Sequence, residues 1–207
     1  MTDSYPIPAG KAEVELVIRR SRFIATAAHT PTVQAAKAFI AEVSNTYPDA
    51  SHHVYAFAVG YGASVVYGMS NAGEPAGTAG KPTLAVVKGC GLGDVTVVTT
   101  RYFGGVKLGT GGLVKAYTEA ARTVLAEIPR TEKVERRSLE MAVPYNLYQP
   151  VTRLVKQHRG RIAAETFGVE VTLRLTFPIS TLPDFTAGLS ELSAGQLTLN
   201  IEARGEA

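Results

Sequence analysis

The chain has 207 residues, of which 45% are hydrophobic and 19% charged, and its net charge is +3. That length allows one or two compact domains with a proper core, and so small a net charge announces no nucleic-acid, membrane or acidic partner through long-range electrostatics. A lone cysteine, Cys90, excludes a disulfide framework and a cysteine-based zinc cage.

No stretch approaches the roughly 18 uninterrupted apolar residues of a membrane span, and the opening MTDSYPIPAGKAEVELV has no signal-peptide pattern. A soluble, cytoplasmic protein is expected. Local charge is more informative than the total. Val95 to Thr118 contains no acidic residue but holds Arg101, Lys107 and Lys115; Met141 to Ala164 is likewise acid-free and holds Arg153, Lys156, Arg159 and Arg161. Each stretch could present a positive face to a ligand, or simply solvate a helix flank.

Along the chain, AEVELVIRRSRFIATAAH alternates polar and apolar residues in two runs broken at Arg20-Ser21, the pattern of a hairpin or bent strand. TVQAAKAFIAEVS places Val33, Ala36, Phe39, Ile40 and Val43 at helical spacing, with Thr30 or Thr32 as cap. HVYAFAVG and SVVYGM read as short strands around a turn. SNAGEPAGTAGKP is loop up to about Gly80, TLAVVKGCG is ambiguous between helix and strand, and DVTVVTTRYF is a buried strand. A glycine-rich segment then leads into GGLVKAYTEAARTVLAEI, a helix with Leu113, Ala116, Tyr117, Ala120, Ala121, Val124 and Leu125 on one side, ended by Pro129.

The charged run PRTEKVERR marks a boundary, dividing the chain into domains 1–134 and 135–207. Beyond it the order is strand SLEMAVPY, helix LYQPVTRLVKQH, strand RIAAETFG, strand VEVTLRLTFP, helix LPDFTAGLSELSAG and strand LTLNIEAR. That βαββαβ succession is the ferredoxin-like order. The fold class is therefore α+β in two domains.

Three segments bear on chemistry. In TRYFGGVKLGTGGLVKAY, Thr100–Tyr117, a strand hands over to a helix through Gly104, Gly105, Gly109, Thr110, Gly111 and Gly112. Free N–H groups at such a helix start attract anions, and Arg101, Lys107 and Lys115 add charge. The spacing matches no nucleotide-binding motif, and a tight packing corner is the competing explanation. In GEPAGTAGKP, Glu74 could act as a general base or pair with Arg101 in a buried salt bridge. In SHHVY, His52 and His53 point to opposite faces of a strand and no further ligands complete a metal set, so neither metal nor cofactor is expected. Cys90 reads as a small buried thiol.

RSRFIA (20–25), SHHVYAF (51–57), GEPAGTAGKP (73–82) and TRYFGGVKLGTGGLVKAY, in this order, resemble the IMPACT/YigZ family over the whole chain. The resemblance implies a first domain similar to the second domain of ribosomal protein S5. It also implies a second, DUF1949-like domain similar to domain V of elongation factor G. Eukaryotic relatives regulate translation by competing for an activator of an initiation-factor kinase through an additional N-terminal domain, so that partner does not simply carry over. For bacterial relatives the two folds imply nucleic-acid or ribosome association. Some relatives carry a dipeptidase label, for which no metal-ligand set is visible.

This sequence departs from the family pattern at Asn71 and Ala72, where acidic residues are usual, at Ala76 for serine, and at Ser51 for arginine. The loss of the acids favours a binding or structural cleft. The leading expectation is a non-enzymatic, translation-linked regulator that binds RNA or a ribosomal component. Its phosphate contacts would come from Gly104–Gly112 with Arg101, Lys107 and Lys115, joined by Arg153, Lys156, Arg159 and Arg161 of the second domain. The alternatives are a hydrolase-type enzyme for a small anionic substrate, using Glu74 with His52 or His53 and Arg101, and a protein-recognition module.

Overall fold

In the computed structural model, which describes residues 4–134, 136–197 and 199–201, one unit runs from Tyr5 to Lys133 and the other takes in Ser4 and the chain from Val134 onward. Ser4–Pro8 (β1) pairs with Arg130–Val134 (β7) in a two-stranded ribbon. The charged run read from the sequence as a boundary thus contains a strand. Ala12–Ile18 (β2) and Ser21–His29 (β3) form the expected hairpin. Its turn falls at Arg19-Arg20, one residue earlier than the pattern suggested, with φ of 44° and 71°. Two positive φ values are those of the two-residue turn that matches strand twist, a place where Asn-Gly is usual and arginine is strained.

Val33–Thr46 (α1) is capped by Thr32, whose hydroxyl accepts from the Ala35 amide at 3.0 Å. His52–Val59 (β4), Val66–Ser70 (β5) and Val95–Tyr102 (β6) complete an antiparallel sheet in the order β2-β3-β6-β4-β5. The ambiguous TLAVVKGCG is helical up to its last two residues, within Gly80–Gly89 (α2), and the glycine-rich segment leads into Gly109–Glu127 (α3).

Period-two alternation divides the sheet between two cores. Phe23, Ala25, Ala27, Val54, Ala56, Val95 and Val97 face α2 and α3, where Leu113, Ala116, Tyr117, Ala120, Ala121 and Val124 are buried as the helical spacing predicts. Val98 faces the other way, against Phe39 and Val43 of α1. Both neighbours of β6 hold it in the sheet centre, so its last turn of residues is delivered to a fixed place.

The second unit contains Arg136–Val143 (β8), Tyr145–Gln157 (α4), Arg161–Phe167 (β9), Val171–Pro178 (β10), Leu182–Leu192 (α5) and Asn200–Ile201 (β11). Its sheet order β11-β8-β10-β9 is antiparallel throughout. This is the βαββαβ order expected. Residues 198 and 202–204 of the expected last strand lie outside the described residues. Leu139, Met141, Val143, Leu173, Leu175 and Phe177 pack beneath Val151, Val155, Phe185 and Leu189 of the helices.

Candidate functional site

Arg101 is the last inward-facing residue of β6, in register with Phe23 on one side and His52 on the other. Its Nη1 donates to Glu74 Oε1 at 2.6 Å and its Nη2 to Ser21 Oγ at 3.4 Å. The same Glu74 oxygen accepts from the Tyr117 hydroxyl at 2.7 Å. The Glu74 and Arg101 side chains are only 3% and 6% exposed. Burial, and next the adjacent Glu74 carboxylate, push the Tyr117 phenol well above its ordinary range, so it stays a hydrogen-bond donor. One group is left over: Arg101 Nε is buried without a partner.

Glu74 is held by its loop. Its amide donates to the Asn71 carbonyl, while Asn71 Oδ1 accepts from the Gly80 amide at 2.9 Å and so satisfies the start of α2. A carboxylate at position 71 would offer the same acceptor, so asparagine fills the structural part that an acid could play there. Ala72 contributes through its carbonyl, 2.8 Å from His52 Nδ1. Because the carbonyl can only accept, that contact requires the proton on Nδ1; the other ring nitrogen, Nε2, lies 3.9 Å from Glu74 Oε1. His53 faces the opposite side of the sheet, with Nδ1 3.1 Å from Thr100 Oγ1, and burial lowers its pKa. The two histidines therefore do not share a site. Among the described residues no three His, Cys, Asp or Glu side chains gather as metal ligands would.

Arg101, grouped by sequence with the loop's lysines, is thus engaged by Glu74 and lies beneath the surface. The exposed cations come from elsewhere. Gly104 sits so close to the hairpin turn that a Cβ would lie 2.0 Å from the Arg20 carbonyl oxygen, and its amide donates to Ser21 Oγ at 3.2 Å. This close approach fastens the glycine segment to the turn carrying Arg19 and Arg20. Gly109 opens α3 at φ +74°, whereas Cβ atoms at Gly105 and Gly111 would meet nothing and one at Gly112 would press on Leu108. Neither a side-chain cap nor an acidic residue occupies the first turn of α3, which includes Thr110.

A cavity of about 650 Å³ follows, lined by Ile18, Arg19, Leu108, Lys115, Glu119 and Arg122 among others. Arg19, Arg20, Lys107, Lys115 and Arg122 are all exposed, and among the described residues none of them is in an ion pair or side-chain hydrogen bond. Sequence reading missed Arg19, Arg20 and Arg122: Arg19 reaches the cavity only through the hairpin, and Arg122, two turns of α3 beyond Lys115, lies past Glu119, where the acid-free stretch has ended. The adjoining cavity between α2 and α3, about 590 Å³, includes Cys90, whose thiol burial pushes up in pKa.

In the second unit Arg153 and Lys156 are exposed on α4 at i, i+3 spacing, and Arg159 follows in the turn with φ 58°. Arg161 pairs with Thr176, which alternates with the core residues Leu175 and Phe177. It therefore projects from the sheet face away from the helices, and the four cations do not form one patch.

An antiparallel sheet sandwiched by helices, followed by a βαββαβ unit, defines a two-unit α+β protein whose first unit carries a buried Glu-Arg-Tyr network and an exposed cationic rim. The Impact N-terminal domain profile matches residues 19–125, and the domain of unknown function DUF1949 matches 141–196. IMPACT family member YigZ of Escherichia coli K12 is 40% identical over 95% of this chain and 97% of its own; an IMPACT family member of Haemophilus influenzae is 36% identical over 98% of both. A crystal structure of a hypothetical protein is similar over 100% of both chains, with 39% identity and a TM-score of 0.75. The chain belongs to the IMPACT family. No helix among its described residues is long and apolar enough to cross a membrane.

Proposed function

We propose that this protein binds RNA or an RNA-bearing component of the translation machinery through the cationic rim of its first unit. The carrying observation is that three unpaired cations, Arg19 from the hairpin and Lys115 and Arg122 from α3, line one cavity beside Glu119, with exposed Arg20 and Lys107 next in the chain to lining residues Arg19 and Leu108. Unpaired surface cations gathered at one place repel each other, and phosphate groups relieve that repulsion while releasing counterions. Gly104, Gly105, Gly109, Thr110, Gly111 and Gly112 shape the rim, with Arg101 beneath it as a support. The likeness to translation proteins that the family resemblance implies for the two folds supports the same reading and would place the protein in the cytoplasm. Arg153, Lys156, Arg159 and Arg161 offer the second unit separate basic surfaces.

The test is binding of a fluorescent single-stranded RNA to the intact chain and to Lys107→Ala/Lys115→Ala across a salt series. Affinity should fall steeply with salt, and the double variant should bind more weakly with a log–log slope shallower by about 1.4, since each phosphate on a single strand contributes about 0.7. A salt-independent interaction, or one the double variant leaves unchanged, overturns the proposal.

A further inference from the structure

Of the phenylalanines in the first unit, Phe23, Phe39 and Phe57 are buried and Phe103 is 51% exposed. It stands at the junction of β6 and the glycine segment, immediately before the Gly104 that packs on the Arg20 backbone. The next residue in the chain thus touches the hairpin that supplies Arg19 and Arg20, while the Phe103 amide donates to Ser51 Oγ at 3.4 Å beside β4.

The ring also has a built support. The Arg101 guanidinium lies 5.7 Å from its centroid, and the same guanidinium lies 5.3 Å from the Phe23 ring. Glu74 and Ser21 hold the guanidinium in place by hydrogen bonds. A cation held against one ring face fixes the ring's attitude, and solvent reaches the rest of the side chain. An exposed, supported aromatic ring on the same glycine segment as an unpaired cation, here Lys107, has the parts with which proteins grip single-stranded nucleic acid: charge tracks the backbone and the ring stacks on a base. A duplex keeps its base faces stacked inside, where such a ring has nothing to meet. An acidic peptide would use the cations and leave the ring idle.

We propose that Phe103 is a base-stacking platform and that the ligand of the cationic rim is single-stranded RNA. This inference rests on the phosphate-binding reading above. Arg101 and Glu74 then act as positioning residues, holding the platform without touching the RNA.

The test compares a 12-nucleotide single-stranded RNA with a duplex of the same length by fluorescence anisotropy, on the full chain and its Phe103→Ala, Phe103→Leu and Phe103→Trp variants. The leucine variant keeps apolar cover over Arg101 and removes only the aromatic face, and thermal unfolding checks that it is folded. Loss of one stacked base should weaken single-strand binding by about five- to a hundredfold in Phe103→Leu and Phe103→Ala. Tryptophan should restore it, while duplex affinity and the salt slope stay unchanged. Wild-type single-strand affinity in Phe103→Leu overturns the stacking platform, as does a parallel loss for single strand and duplex. If salt-sensitive binding then still depends on Lys107 and Lys115, the phosphate reading stands without the platform. If the intact protein binds neither RNA, both fall.

Discussion

Replacing Glu74 by glutamine tests the network beneath the cationic rim. The substitution keeps the side chain's shape and removes its charge, leaving the Arg101 guanidinium, 6% exposed, without the carboxylate that sits 2.6 Å away. Breaking a buried ion pair by removing one partner costs about 3–5 kcal/mol, because the remaining charge stays desolvated. Glutamine can still accept one hydrogen bond, which puts Glu74→Gln near the lower end and Glu74→Ala near the upper. Tyr117→Phe removes a single bond to a charged acceptor and should cost less, about 1.5–3 kcal/mol. For a unit of this size, 3 kcal/mol lowers the unfolding midpoint by on the order of 10 °C.

Urea unfolding followed by circular dichroism gives the size of the loss, and amide exchange locates it. The Glu74 amide, bonded to the Asn71 carbonyl, and the Gly80 amide, bonded to Asn71 Oδ1, should lose protection first. Because the cost comes from an unpaired charge, Glu74→Ala/Arg101→Ala should be more stable than the sum of its single variants predicts. Glu74→Gln and Glu74→Ala both within about 1 kcal/mol of wild type would refute the reasoning, since no buried ion pair of this geometry is lost so cheaply.

Gly104→Ala would put its methyl 2.0 Å from the Arg20 carbonyl oxygen, so the loop must leave the hairpin at a cost of about 1–3 kcal/mol, and RNA affinity should fall with it. Gly111→Ala, whose methyl meets nothing, should be neutral or stabilising by up to about 1 kcal/mol in denaturant melts. Asp94 is the second buried carboxylate, bonded to Lys133 Nζ at 2.6 Å, the Gly60 amide at 2.8 Å and the Tyr5 hydroxyl at 3.0 Å. Burial would raise its pKa, but these donors outweigh it and hold the carboxyl below its usual range. Its stabilisation is therefore complete above the unfolded carboxyl pKa near 3.9 and is lost as pH falls through the lower folded value. Lys133, raised in spite of its burial by the same pairing, works in the alkaline direction, losing its stabilisation as pH rises through its folded value. Asp94→Asn should flatten the acid limb of a melting-temperature profile, and an unaltered limb would remove Asp94 from its cause.

Periodicity alone determined most of the elements. Helical spacing in GGLVKAYTEAARTVLAE named the buried face of α3, because a helix repeats its environment every 3.6 residues whatever it packs against. Alternation likewise marked β2 and β3, and the βαββαβ order of the second unit followed from the succession of such patterns. The segment TLAVVKGCG stayed ambiguous because a short apolar run fits either period, and its contacts with β4 and α3 make it a helix.

Which charges are free and which are spent is a matter of tertiary distance. Arg101 and Lys107 lie six residues apart in one acid-free stretch, yet only Arg101 is met by a carboxylate, delivered from the Glu74 loop. Arg19 and Arg20 join the lysines only because Gly104 lacks a side chain where the loop crosses the hairpin. A sequence records the charges, but pairing depends on distances of a few ångströms between segments far apart in the chain, and Coulomb energy and desolvation are set there.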